Sequence, residues 1–142
     1  MMNDKHILTS MLHTVQMGQS GIRCVMNKAI SPALKQELSE QLRKYDDMEK
    51  QTLSLAQDLQ LTLTNLNPAV ETMSSVMSKL QLIGGETDSK IAGMLIQGNT
   101  RGSILGTKNL RKASHADSRV SALAKQLLQQ EESNIRRSRQ YL

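Results

Sequence analysis

Apolar residues recur at three- and four-residue intervals along four stretches of the chain, and no alternating strand pattern interrupts them. The first stretch runs from about Asn3 to Lys28. Leu8, Met11, Leu12, Val15, Ile22, Val25 and Met26 share one face, with Gly18 on the same stripe. The second opens at "SPALKQE", where Ser31 suits an N-cap and Pro32 the first helical position. Its stripe of Leu38, Leu42, Tyr45, Ala56, Leu59 and Leu63 predicts a long helix to about Leu63, broken by "TNLNP". Next, "AVETMSSVMSKLQL" reads as a short amphipathic helix, opened by Asn67 and Pro68 and closed by Gly84 and Gly85. The third long stretch opens at "ETDSKIAGMLIQG" and runs to about Lys112. After a turn at Ser114 or His115, the fourth covers about Ala116 to Tyr141.

The spacing between these elements predicts their directions. Only a few residues join the first helix to the second and the third to the fourth, so each pair is an antiparallel hairpin. The segment from Thr64 to Gly85 is long enough to travel much of the length of a bundle, at about 1.5 Å per residue where helical. The expected architecture is a single all-α domain over residues 1–142. It is a ferritin-like four-helix bundle with a short extra helix in the crossover between helices 2 and 3, which then run parallel.

Composition supports helices over sheets. With two Tyr, no Phe and no Trp, the core must come from Leu, Ile, Val, Met and Ala. The nine Met read as adaptable packing rather than soft-metal ligands. Cys24 is the one cysteine, which excludes an internal disulfide and fits a reducing compartment. The opening residues lack a signal-peptide pattern, and no stretch has the length of a membrane span, so a cytoplasmic protein without membrane contact is expected. The net charge of +5 permits an acidic partner, but the charges are spread along the chain and there is almost nothing aromatic to stack on bases. The basic end "IRRSRQYL" places cations where a helix C-terminus favours them. Nucleic-acid binding is accordingly the weakest class. "GNTRGSILG" has neither the preceding strand nor the Lys of a phosphate loop. Gly93, Gly98, Gly102 and Gly106 clear one helix face for close approach, inside the bundle or between subunits, and a homo-oligomer is expected.

Candidate chemistry lies at the centre of the bundle. Aligning the hairpins puts Gln16 or Gln19 level with Tyr45 and Glu49, and Gln97 and Arg101 level with Glu131. Gly98 and Gly102 would lie on the inner stripe, and Asn134 follows Glu131 on the stripe that also carries Leu127 and Tyr141. A polar layer of Gln16, Tyr45, Glu49, Gln97, Arg101, Glu131 and Asn134 is therefore expected. Di-metal bundles of this shape supply four carboxylates and two histidines. This chain offers only Glu49 and Glu131, while His6, His13 and His115 lie toward helix ends or a turn. A buried carboxylate without metal needs a cation, for which Arg101, Lys90 and Arg136 are candidates, or a raised pKa. No Ser-His-Asp or Cys-His arrangement has local support.

"TVQMGQSGI", "QLRKYDDMEKQ", "SKIAGMLIQGNTRG" and "LAKQLLQQEESNIRRSRQYL" resemble, in order and spacing, the four helix segments of a group of small, uncharacterised ferritin-like proteins of Firmicutes. The resemblance spans nearly the whole chain and implies the fold. Tyr45, Glu49, Gln97, Glu131 and Asn134 match the group's pattern. Ser20, Lys90 and Gly93 stand where its members tend to carry an acid, a His and a Glu, so the most ligand-like positions are lost. The expected function is non-enzymatic. It is that of a ferritin-like bundle with a degenerate metal site and no cofactor, acting through protein–protein contacts or self-assembly. The alternative is a di-metal carboxylate protein, built on Glu49 and Glu131, for iron handling or oxidant defence.

Overall fold

The computed structural model describes residues 2–66 and 87–142, and these form four long helices with no strand among them. Helix α1 is Met2–Val25, followed by a 3-10 turn at Met26–Lys28, and α2 is Pro32–Asp58. Helix α3 is Thr87–Lys112, followed by a 3-10 turn at Ala113–His115, and α4 is Ser118–Ser138, ending in a 3-10 turn at Arg139–Tyr141. The short helix expected around Asn67–Leu82, and most of the crossover that would contain it, lie outside the described residues. No helix is long and apolar enough to cross a membrane among the residues described.

Local chemistry explains the boundaries. Ser31 caps α2 by accepting from the Leu34 N–H at 3.4 Å, with Pro32 just inside the helix. Asp117 caps α4, its carboxylate accepting from the Arg119 N–H at 2.9 Å. The side chain of Arg119 also bonds this carboxylate and holds its pKa down to about 2. The expected extension of α2 to Leu63 does not occur. Gln60 adopts a left-handed φ of 57°, and the Leu61 N–H bonds back to the Ala56 carbonyl at 2.8 Å while the Gln60 N–H bonds to Gln57 at 3.0 Å. Those two reversed bonds close the helix in a Schellman turn. The chain then runs back along α1, where His13 Nε2 meets the Thr64 carbonyl at 2.9 Å and the Leu66 N–H donates to Gln16 Oε1 at 2.7 Å.

Two carboxylates fix how the hairpins meet. Asp88, in the first turn of α3, accepts from the N–H groups of Ile30 and Ser31 at 2.8 and 2.9 Å, in the α1–α2 turn. Asp4, in the first turn of α1, accepts from the Asp117 N–H at 3.0 Å, in the α3–α4 turn, and Asn3 donates to the Lys112 carbonyl beside it. Each hairpin's turn is thus held by an acid from the first turn of the other. Helix α1 is therefore antiparallel to both α2 and α3, while α2 and α3 point the same way. Helix α4 packs on α3 and α2.

The core follows the apolar stripes. Ile7, Leu8, Met11, Leu12, Val15, Ile22 and Val25 of α1 are buried, against Leu34, Leu38, Tyr45 and Met48 of α2. Ile91, Ala92 and Leu95 of α3 close over Val120, Leu123, Ala124 and Leu127 of α4. Met26, Leu42, Leu59 and Leu63 are half-buried at the edge of this core. The glycine run of α3 divides between two faces. A Cβ at Gly106 would touch Leu128 of α4 at 3.3 Å, and one at Gly102 would strike Glu131, so both face the bundle interior. A Cβ at Gly93 or Gly98 would meet nothing within 4 Å, so Gly98 does not share the inner stripe with Gly102.

Candidate functional site

The polar centre is built from three helices. Tyr45 of α2, Asn99 of α3 and Glu131 and Asn134 of α4 are all buried, at 3, 5, 2 and 0% exposure. The Tyr45 hydroxyl lies 2.9 Å from Asn99 Oδ1 and 3.0 Å from Glu131 Oε1. Asn134 Nδ2 donates to Asn99 Oδ1 at 3.2 Å and reaches the Tyr45 oxygen at 3.4 Å. Two glycines give the pair its room. At Gly18 of α1 a Cβ would sit 2.6 Å from the Tyr45 ring, and at Gly102 of α3 one would sit 2.7 Å from Glu131 Oε2. Both distances are below any tolerable contact, so glycine at these two positions is what lets the phenol and the carboxyl reach each other.

Counting protons assigns the state of Glu131. Asn99 is oriented by donating its Nδ2 to the Leu95 carbonyl at 2.7 Å, so its Oδ1 must face Tyr45. That oxygen only accepts. The Tyr45 hydroxyl has one proton for two acceptors, Asn99 Oδ1 and Glu131 Oε1, and a proton on the carboxyl lets both short contacts be hydrogen bonds. Burial leads independently to the same state. Desolvation pushes the pKa of Glu131 up to about 8, opposed only in part by the Tyr45 hydrogen bond. Burial, then the neighbouring Glu131, raises the Tyr45 pKa well above its ordinary 10. In the protonated form that burial favours, the centre is an uncharged relay: Glu131 donates to Tyr45, Tyr45 to Asn99, and Asn99 to the α3 backbone. No ion pair reaches Glu131 among the described residues, so neither Arg101 nor Arg136 supplies the expected cation.

The remaining expected residues lie elsewhere. Glu49 accepts from Gln16 at 3.3 Å and Gln19 at 3.2 Å, in a half-buried network between α1 and α2 that also takes in Asp46 and Asn65. Gln97 and Arg101 are exposed and stand at the mouth of a cleft between α1 and α3. Helix α3 is at the anticipated level, but its inner face carries Asn99 and Gly102 instead. Sequence reasoning missed Asn99, although Ile91, Leu95, Asn99, Gly102, Gly106 and Asn109 form an unbroken stripe at three- and four-residue steps.

Among the described residues, those at the centre do not fit the di-metal centre that a ferritin-like resemblance would imply. The acid at the centre is bonded to the Tyr45 phenol, which is bonded in turn to the amides of Asn99 and Asn134. The second candidate, Glu49, belongs to another network, and among the described residues no three of His, Cys, Asp and Glu gather as possible ligands. Among the described residues, fold and site together define an all-α chain of four long helices with the buried carboxyl of Glu131 at its centre. Set against family models, curated proteins and solved structures, the chain matches none.

Proposed function

We propose that this chain is a ferritin-like bundle that has given up metal chemistry and works, in the cytoplasm, by binding rather than by catalysis, through self-assembly or contact with another protein. The observation that carries this reading is the proton-balanced relay of Glu131, Tyr45 and Asn99. It fills the place of a metal centre with hydrogen bonds between side chains, and burial pushes the pKa of its acid up to about 8. Parallel α2 and α3, with the long connection they require, support the ferritin-like topology. Met17, Ile104 and Leu105, at 39, 54 and 40% exposure, give the α1–α3 side an apolar character suited to contact. Nucleic-acid binding is disfavoured, since Tyr45 is buried and Tyr141 packs against the core, leaving no aromatic platform.

Thermal melts with and without excess iron, manganese or zinc test the loss of metal chemistry. Binding to the native state raises the melting temperature by mass action. We expect no shift. A clear rise that disappears in Glu49→Ala and Glu131→Ala would restore the di-metal alternative. Sedimentation equilibrium at about tens of micromolar (typical of weak assemblies) tests self-assembly. A strict monomer there would leave contact with another protein as the working mode.

A further inference from the structure

We infer that the cleft between α1 and α3 is a binding site for a neutral, mostly aliphatic small molecule with one hydroxyl head, the hydroxyl donating to the free carboxyl oxygen of Glu131. This rests on the reading of the chain as a non-catalytic binding protein and names a ligand class for it.

Three features of the cleft converge on that ligand. The first is its size, about 320 Å3, at the lower end of the range for small-molecule sites. At the packing density of protein interiors it holds about ten non-hydrogen atoms. The second is its wall. Ile22, Met94, Leu95 and Leu105 supply apolar surface, and Gly21 and Gly98 line it where an added Cβ would meet nothing within 4 Å. A glycine inside a helix costs up to about 1 kcal/mol against alanine. Close helix packing explains Gly18, Gly102 and Gly106. It does not explain Gly21 and Gly98, whose missing side chains leave the cleft open.

The third feature is the floor. Glu131 lines the cleft and is buried, with only 2% of its surface exposed. Its Oε1 is engaged by Tyr45, while Oε2, beside Gly102, has no hydrogen-bond partner among the described residues. With the proton on Oε1, Oε2 is a carbonyl-type oxygen that accepts and cannot donate. An acceptor at the floor of an apolar cleft favours a ligand that brings it a donor. A carboxylate head would set acceptor against acceptor. An ammonium head would require Glu131 to ionise, which would take the Tyr45 proton away from Asn99 Oδ1. A hydroxyl satisfies Oε2 and leaves the relay intact.

The test is titration of the metal-stripped full chain at pH 7, followed by amide NMR shifts, with 1-nonanol and three probes of the same length. 1-Methoxyoctane keeps the size and the oxygen but lacks the donor, and nonanoate and nonylamine change the head's charge. We expect 1-nonanol to bind at least tenfold tighter than the other three, with shifts centred on Gly98 and Gly102. Gly98→Leu and Gly21→Leu fill the cleft from positions that have space for them, and each should fold and lose binding at least tenfold. Equal affinity for alcohol and ether, tighter binding of nonanoate or nonylamine, or unchanged binding in both folded leucine variants would overturn the assignment. So would absence of 1-nonanol binding, including the case in which a second copy of the chain covers the cleft. Because metal is removed beforehand, failure here is distinguishable from failure of the metal-free reading, which the metal-dependent melts test on their own.

Discussion

Replacing Glu131 with Gln should make the protein more stable above neutral pH and nearly unchanged below it. In the fold Glu131 titrates at about 8, against 4.5 for an ordinary glutamate. The native state therefore holds a proton that the unfolded chain releases between these values, and stability falls as pH rises through that window. Above about 8 both states have lost the proton and the loss is complete. The full gap corresponds to about 5 kcal/mol at one proton per state, and we expect an observed loss of about 2–5 kcal/mol between pH 5 and 8.5. Glutamine is neutral at every pH, and its amide N–H can donate to Tyr45 as the protonated acid does. At pH 5 the variant should therefore lie within about 1 kcal/mol of the wild type. At pH 8.5 it should exceed the wild type by about 2–4 kcal/mol. Urea unfolding at half-unit pH steps measures both curves, and staying above pH 5 keeps clear of Asp117, whose lowered pKa makes it destabilise the fold only in stronger acid. A wild-type curve flat from pH 5 to 8.5, or a Gln variant that tracks it in parallel, would refute the uncharged relay.

The glycines give a matched pair. Gly102→Ala drives a methyl into the Glu131 carboxyl and should destabilise by about 1–3 kcal/mol, whereas Gly98→Ala, with open space at its Cβ, should stabilise by up to about 1 kcal/mol, both by chemical denaturation. Gln60→Gly relieves a left-handed residue that carries a side chain and should add roughly 1 kcal/mol, and a loss of stability would show that the Gln60 side chain itself is used. Asp88→Ala removes the acceptor for two backbone N–H groups and should cost about 1–3 kcal/mol, with faster amide exchange at Ile30 and Ser31 as the local signature.

The parts of the fold legible in the sequence were those set by neighbours in the chain. The cap of Ser31 and Pro32, the ends of α3 and the inward stripe of α1 depend on spacing and on side-chain contacts with the local backbone, and the structure has them where the pattern put them. The end of α2 was not legible. Its left-handed position is filled by Gln60 instead of glycine, and the apolar Leu59, Leu61 and Leu63 continue past it and mimic more helix. The centre was legible on α2 and α4, where Tyr45, Glu131 and Asn134 stand among apolar neighbours. It was not legible on α3, where four glycines blur which face is inward. A helix advances about 100° per residue. Gly102 was read inward correctly, but placing Gln97, Gly98 and Arg101 inward with it, in place of Asn99, turned three exposed residues toward the core. Buried Gln41, Thr52 and Asn109 were passed over because a polar residue on an apolar stripe looks like an interruption until its partner is known.

The two carboxylate clasps have a consequence for assembly. Each hairpin carries a turn with N–H groups to satisfy and, at its opening, the acid that satisfies the other hairpin's turn. Among the described residues, the two halves recognise each other through these ends and through the centre between them. The link between α2 and α3 holds the two halves at a high effective concentration. A hairpin of a second chain presents the same acids and the same turns, so two molecules exchanging hairpins would regain each of these contacts without a new interface. Concentration and the length of the tether then weigh on the balance between the closed monomer and the exchanged pair.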